Sequence, residues 1–81
     1  MKRSKERIYY DVLKVYDRMS LLKYPKGITY LINKANLNMK DAERLSKELK
    51  DMNMLNGKYI TERGYKFMTI YRQIIQILGE D

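Results

Sequence analysis

Residues 29–64 read TYLINKANLNMKDAERLSKELKDMNMLNGKYITERG, and this stretch decides the fold. Ile28, Leu31, Ile32 and Ala35 recur at helical spacing, which predicts a short helix over Ile28–Ala35 with Thr29, Tyr30, Asn33 and Lys34 on its outer side. Asn36-Leu37-Asn38 then turns the chain, with Leu37 as the apolar plug. Asn38 is a good N-cap, and Asp41 adds favourable charge at the start of the helix that follows. That helix is expected from Met39 to about Met52, with Ala42, Leu45, Leu49 and Met52 facing inward. At about 100° per residue, the opposite side carries Lys40, Arg44 and Lys47, with Asp51 one turn further on. Asn53 is expected to leave the helix in a left-handed conformation. Met54-Leu55, Asn56-Gly57 and Lys58-Tyr59-Ile60 read as a hairpin turning on Asn-Gly, the strongest short hairpin signal. Lys58 lies near its tip.

Working outward towards the C-terminus, Thr61 caps a last helix expected over Glu62–Leu78 and stopped by Gly79. Phe67, Ile70, Ile74 and Ile77 repeat at a 3-4-3 spacing. Met68, Tyr71, Ile75 and Leu78 do the same one residue out of phase. Together they cover more of the helix than the ~100° stripe needed to pack on one core. One seam should face the domain and the other a second subunit, as a helix pair. Working towards the N-terminus, Leu22–Gly27 is a turn around Pro25 and Gly27. A short strand at Leu21–Lys23 could pair with the hairpin. The first helix is expected over about Lys5–Met19 with Ser4 as N-cap. Ile8, Val12, Val15, Tyr16 and Met19 form its inner stripe, widened by Tyr9 and Leu13. Its far side holds Arg7, Asp11, Lys14 and Arg18. With Asp11 able to pair with Arg7 and Lys14, these four read as an exposed ion-pair ladder rather than a phosphate track.

The 81 residues make one domain. Residues 1–61 would form the part that reads a ligand, led by a basic arm, and residues 62–81 a dimerisation helix on the same core. A chain this small buries only about 60% of its unfolded surface, and a homodimer would thicken its core. There is no cysteine and no histidine. The commonest general base, the commonest metal ligands and the thiol nucleophile are therefore missing. No glycine-rich phosphate loop is present. Asp41, Glu43, Glu48 and Asp51 alternate with lysine and arginine in the manner of salt-bridge patterning. No enzymatic role, cofactor or metal is implied. The longest apolar run, Ile74 to Leu78, is broken by Gln76 and falls far short of the ~20 residues of a membrane span. A soluble, cytoplasmic protein is expected, without a membrane partner.

The net charge is +7, and residues 1–26 hold eight Lys/Arg against three acids. A basic protein of this size usually meets a polyanion, most often nucleic acid. The element order points the same way. A mainly α fold with a small β-hairpin, in which a short helix, a tight corner, a helix with an outward basic stripe, a hairpin and a capped last helix follow in turn, is the layout of a winged helix-turn-helix. Its natural ligand is duplex DNA. Lys40, Arg44 and Lys47 would line the major groove, with Asn38 near a phosphate. Thr29, Tyr30 and Lys34 would hold the backbone. Lys58 would touch a flanking phosphate, and the arm Lys2, Arg3 and Lys5 would add non-specific attraction. The competing class is a protein-interaction module that keeps this fold without DNA. RNA ranks last, because Tyr30 is the only evident stacking aromatic.

The run Thr29-Tyr30-Leu31-Ile32-Asn33-Lys34-Ala35-Asn36-Leu37-Asn38 resembles the T-x-I-M-x-K-A-N-L-S signature of small archaeal winged-helix proteins. Leu45 and Leu49 fall on that family's third-helix leucines, and Met54-Leu55 on its L-I. Tyr59, Thr61, Gly64 and Phe67-Met68 match its Y-x-T-x-x-G-x-x-F-L. The chain departs from the pattern at Asn53, where the family has glycine, in its minimal wing and in its short last helix. The family contains chromatin-type DNA-binding proteins and transcription regulators. The resemblance implies a winged helix with a C-terminal coiled-coil helix that pairs two subunits, acting at the nucleoid of an archaeal cell, encoded by the host, a virus or a plasmid.

Overall fold

The computed structural model describes residues 3–21 and 28–79, apart from the side chains of Ile28 and Thr29. Four helices and one hairpin follow in the order α1 (Lys5–Leu21), α2 (Ile28–Ala35), α3 (Met39–Asp51), β1 (Leu55–Asn56), β2 (Tyr59–Ile60) and α4 (Glu62–Leu78). The protein is mainly α with a two-stranded antiparallel hairpin. α1 runs two residues past Met19, so Leu21 is helical and does not begin a strand. The rest of the expected strand, and the expected turn over 22–27, lie outside the described residues.

Local chemistry sets most of the element ends. The Ser4 hydroxyl accepts from the Arg7 amide, capping α1. Asn38 caps α3 through a reciprocal pair. Its Oδ1 accepts from the Asp41 amide at 2.8 Å, and its Nδ2 donates to the Asp41 carboxylate at 3.1 Å. Asn36 and Asn53 end α2 and α3 with φ of 57° and 61°. After each, the next amide turns back onto the helix: Leu37 donates to the Ile32 carbonyl and Met54 to the Leu49 carbonyl. Asparagine tolerates this left-handed geometry, and the fold uses it twice in place of glycine. Gly79 ends α4 the same way, φ 69°.

The hairpin turns one residue later than the sequence suggests. Asn56 pairs with Tyr59 and Leu55 with Ile60. The two loop residues are therefore Gly57 and Lys58, not Asn56 and Gly57. Of the turn residues only Gly57 takes a positive φ, 64°. A glycine in the first loop position suits a II′-type turn, whereas Asn-Gly at the centre of a I′ turn needs two positive φ angles. The shift places Lys58 in the loop itself and fixes Leu55 and Ile60 on the inner side.

One core cluster joins every element. α1 lies at its centre and packs on α2, α3, α4 and β2. Its buried residues are Tyr10, Val12, Leu13 and Val15. Tyr10 belonged to neither face of the expected helix. It is buried because α4 crosses that side of α1, where the Tyr71 ring meets it at 5.3 Å between centroids. α2 contributes Leu31 and Ala35, α3 contributes Ala42, Leu45 and Leu49, and the hairpin contributes Leu55. Ser46 is also buried, and its hydroxyl is satisfied by the Tyr16 hydroxyl at 2.9 Å. Among the described residues no buried side-chain polar atom lacks a partner.

α4 is clasped to the hairpin at its first turn. Thr61 accepts from the Gly64 amide and donates to the Asn53 carbonyl, at 3.1 and 2.6 Å. A Cβ on Gly64 would lie 2.4 Å from the Met54 carbonyl oxygen and 2.7 Å from Ile60 Cγ2. Only glycine lets helix and hairpin come this close. Among the described residues no helix is long and apolar enough to cross a membrane.

Candidate nucleic-acid interface

The outer face of α3 follows from its inner one. Ala42, Leu45 and Leu49 are buried against α1 and α2, so the residues half a turn away point out of the protein. Lys40, Arg44 and Lys47 are all exposed there. Arg44 is not bare. It meets Asp41 at 3.2 Å and Glu48 at 3.9 Å along its own helix. Lys40 and Lys47 have no carboxylate within ion-pair distance among the described residues. Asn38 stands at the head of this face, but its side-chain oxygen is already taken up by the cap. Any anion at this end would be met by the remaining first-turn amides and the positive end of the helix dipole.

Glu48 ties the α3 face to α1. Its carboxylate accepts from the Tyr9 hydroxyl and meets the Lys5 ammonium at 3.3 Å. The Tyr9 hydrogen bond is the main reason its carboxyl is held below the usual glutamate value, with Lys5 and Arg44 adding to it. Tyr9 itself is pushed up, first by burial and then by the negative Glu48. Tyr9 and Glu48 together hold the Lys5 ammonium above its ordinary value. Lys5, expected both to begin the first helix and to belong to the basic arm, is the first residue of α1 and is occupied with an α3 carboxylate.

Arg3 also departs from the arm reading. Its guanidinium donates to Asp11 and to the Ala35 carbonyl, each at 3.0 Å, and to the Asn36 carbonyl at 3.2 Å. It staples the start of the chain to the end of α2. Asp11 is drawn to Arg3 and Arg7, at 3.0 and 3.2 Å. Lys14 is not its partner. The ladder expected along α1 therefore gives way to a half-buried cluster at one end and exposed Lys14 and Arg18 at the other. Sequence could not signal this, because Arg3 reaches residues 32 and 33 positions away. Lys2 and the side chain of Thr29 lie outside the described residues.

The outer side of α2 is less open than its polarity suggests. Tyr30 is half-buried and packs against the core, with the Lys34 ammonium 5.8 Å from its ring centre. It is a wall of the protein more than a free contact. Lys34 is exposed, yet it lines the cleft between α1 and α2 with Lys14 and Arg18, away from the α3 stripe. Lys58 is exposed at the hairpin tip.

The two seams of α4 have separate fates. Met68 and Ile75 are buried, and Tyr71 is half-buried beside them. Phe67, from the other seam, is half-buried too, stacked on Tyr71 at 5.8 Å. These four residues are used within the chain. Ile70, Ile74 and Ile77 remain open, Ile77 at 82% exposure, and Leu78 joins them instead of the inner seam. Leu78 is open because the helix has run beyond the part of the core that Ile75 closes.

Comparison of the chain with family models, with curated proteins and with solved structures finds no match. The resemblance to archaeal winged-helix proteins rests on its motif residues alone.

Proposed function

We propose that the chain is a winged helix-turn-helix protein that binds double-stranded DNA as a homodimer and regulates transcription. The observation that carries this reading is the α3 surface. Three cations stand exposed on one side of a helix whose other side is fixed in the core, directly after a capped N-terminus that follows a tight corner from α2. A helix carried this way can enter a major groove. Lys40 and Lys47 meet phosphates or base edges directly. Arg44 must first exchange Asp41 and Glu48 for DNA. Exposed ion pairs contribute only about 0–1 kcal/mol, so the exchange costs little. Lys58 reaches a flanking phosphate. α3 carries four cations and four acids, a balance that suits groove reading better than a purely electrostatic coat of chromatin type.

The open seam of α4 supports the dimer. Ile70, Ile74 and Ile77 repeat at the 4-3 spacing of a helix pair, and two copies related by a twofold axis present that seam to each other. Residues 1–61 then read DNA and residues 62–81 pair the subunits. A protein-interaction module with the same fold would bind a partner through α3 with little salt dependence.

Fluorescence anisotropy of a labelled duplex, titrated at several salt concentrations, tests the reading. Affinity should fall with a log–log slope of about −0.9 per phosphate neutralised. The Arg44→Ala, Lys47→Ala double variant should lose ~1–3 kcal/mol of binding while its circular dichroism is unchanged. Equal binding by the double variant would remove α3 from the interface.

A further inference from the structure

Among the described residues a second group of cations lies away from α3. Between α1 and α2 there is a cleft of about 370 Å³, within the size range of small-ligand sites. Among the described residues its cations are Arg3, Lys14, Arg18 and Lys34, and its one carboxylate is Asp11. Arg3 and Arg7 already neutralise Asp11. Lys14 and Arg18 stand one turn apart on α1, and Lys34 faces them from α2. The Lys14 ammonium rests 5.3 Å from the Tyr10 ring centre and Lys34 lies over Tyr30, so aromatic faces hold both stems in place. Among the described residues neither Lys14, Arg18 nor Lys34 has a carboxylate partner.

The carbonyl end of a helix would ordinarily repel an anion here, since α2 ends at the cleft. Arg3 removes that obstacle by covering the Ala35 and Asn36 carbonyls with its own N–H groups. The site is also separate from the α3 surface. Lys5, Tyr9 and Tyr16 reach α3 through polar contacts. At about 100° per residue, Lys14 and Arg18 project from the opposite side of α1.

We propose that this cleft is a second anion site that takes a small polyphosphate, either free or as the phosphate tail of a nucleotide. Lys14, Arg18 and Lys34 grip its oxygens, and Arg3 forms the fixed end wall. The proposal does not depend on DNA binding by α3.

Isothermal titration of the full chain with inorganic tripolyphosphate, with ATP and with a short single-stranded oligonucleotide, at constant ionic strength, tests it. Tripolyphosphate and ATP should bind, and amide resonances around Lys14, Arg18 and Lys34 should shift. The Arg18→Gln, Lys34→Gln variant should bind about tenfold more weakly or worse, with its thermal midpoint unchanged. The Lys40→Gln, Lys47→Gln variant should bind as the parent does. Equal affinity for the two small anions assigns recognition to the phosphate chain alone, and tighter ATP binding assigns it to a nucleotide. Absence of binding, an equal loss in the Lys40/Lys47 variant, or a preference for the oligonucleotide over both small anions would overturn the proposal.

Discussion

α1 and α4 are each 17 residues long and amphipathic, yet they end in opposite conditions. α1 is surrounded by α2, α3, α4 and the hairpin, and almost all of its apolar residues are consumed inside the chain. Apart from Leu21 at its last position, what it leaves to solvent is mainly charge, Lys14 and Arg18 above all. α4 spends one seam on the core and leaves Ile70, Ile74 and Ile77 uncovered. The same hydrophobic pattern thus yields a scaffold in one helix and an unfinished surface in the other. The difference lies in how many neighbours the fold supplies, and helical periodicity does not record that number.

Three experiments separate the two helices, in descending order of expected effect on stability. Leu13→Ala empties a fully buried position of α1. It should cost ~2–5 kcal/mol in chemical denaturation, and a loss below 1 kcal/mol would mean that α1 is not the central element. Acid comes next, acting on the α1–α3 tie. Glu48 is held below its ordinary value by Tyr9 and the cations beside it. Its contribution is complete above the ordinary glutamate value of about 4.3 and is lost as pH falls through the lower folded value. Denaturation curves of the parent and Glu48→Gln should therefore differ at neutral pH and converge in acid. A gap independent of pH would separate Glu48 from the tie. The Ile74→Lys, Ile77→Lys variant should have the least effect on the fold of the single chain, within about 0.5 kcal/mol. Its effect should appear instead in light scattering, as a mass half that of the parent. A parent already at the mass of one chain would sink the helix-pair reading.

The features legible in the sequence are those that a few adjacent residues decide. The caps at Ser4, Asn38 and Thr61, the left-handed Asn53 and the bounds of α2 and α4 all depend on contacts within one turn of chain. The inward face of α3 was legible for the same reason, since a helix flanked by others has one buried side. The features that could not be read involve distant partners. Burial of Tyr10 needs Tyr71, burial of Ser46 needs Tyr16, and the position of Arg3 needs the end of α2. The hairpin register lies between these cases. Asn-Gly marks the turn, but the pairing of Leu55 with Ile60 on the core side decides which residue opens it. The cleft was hidden because Asp11, in the middle of the α1 ladder, reads as a partner for Lys14, whereas Arg3 and Arg7 hold it and leave Lys14 and Arg18 to the cleft.

Because Gly64 leaves no room for a methyl group between α4 and the Met54 carbonyl, and Thr61 grips both sides of that junction, the hairpin and α4 must travel as one lever. In a paired assembly the angle at which two α4 helices cross would then act as a calliper. It would set how far apart the two Lys58 tips stand, because each hairpin is packed against the first turn of its own α4.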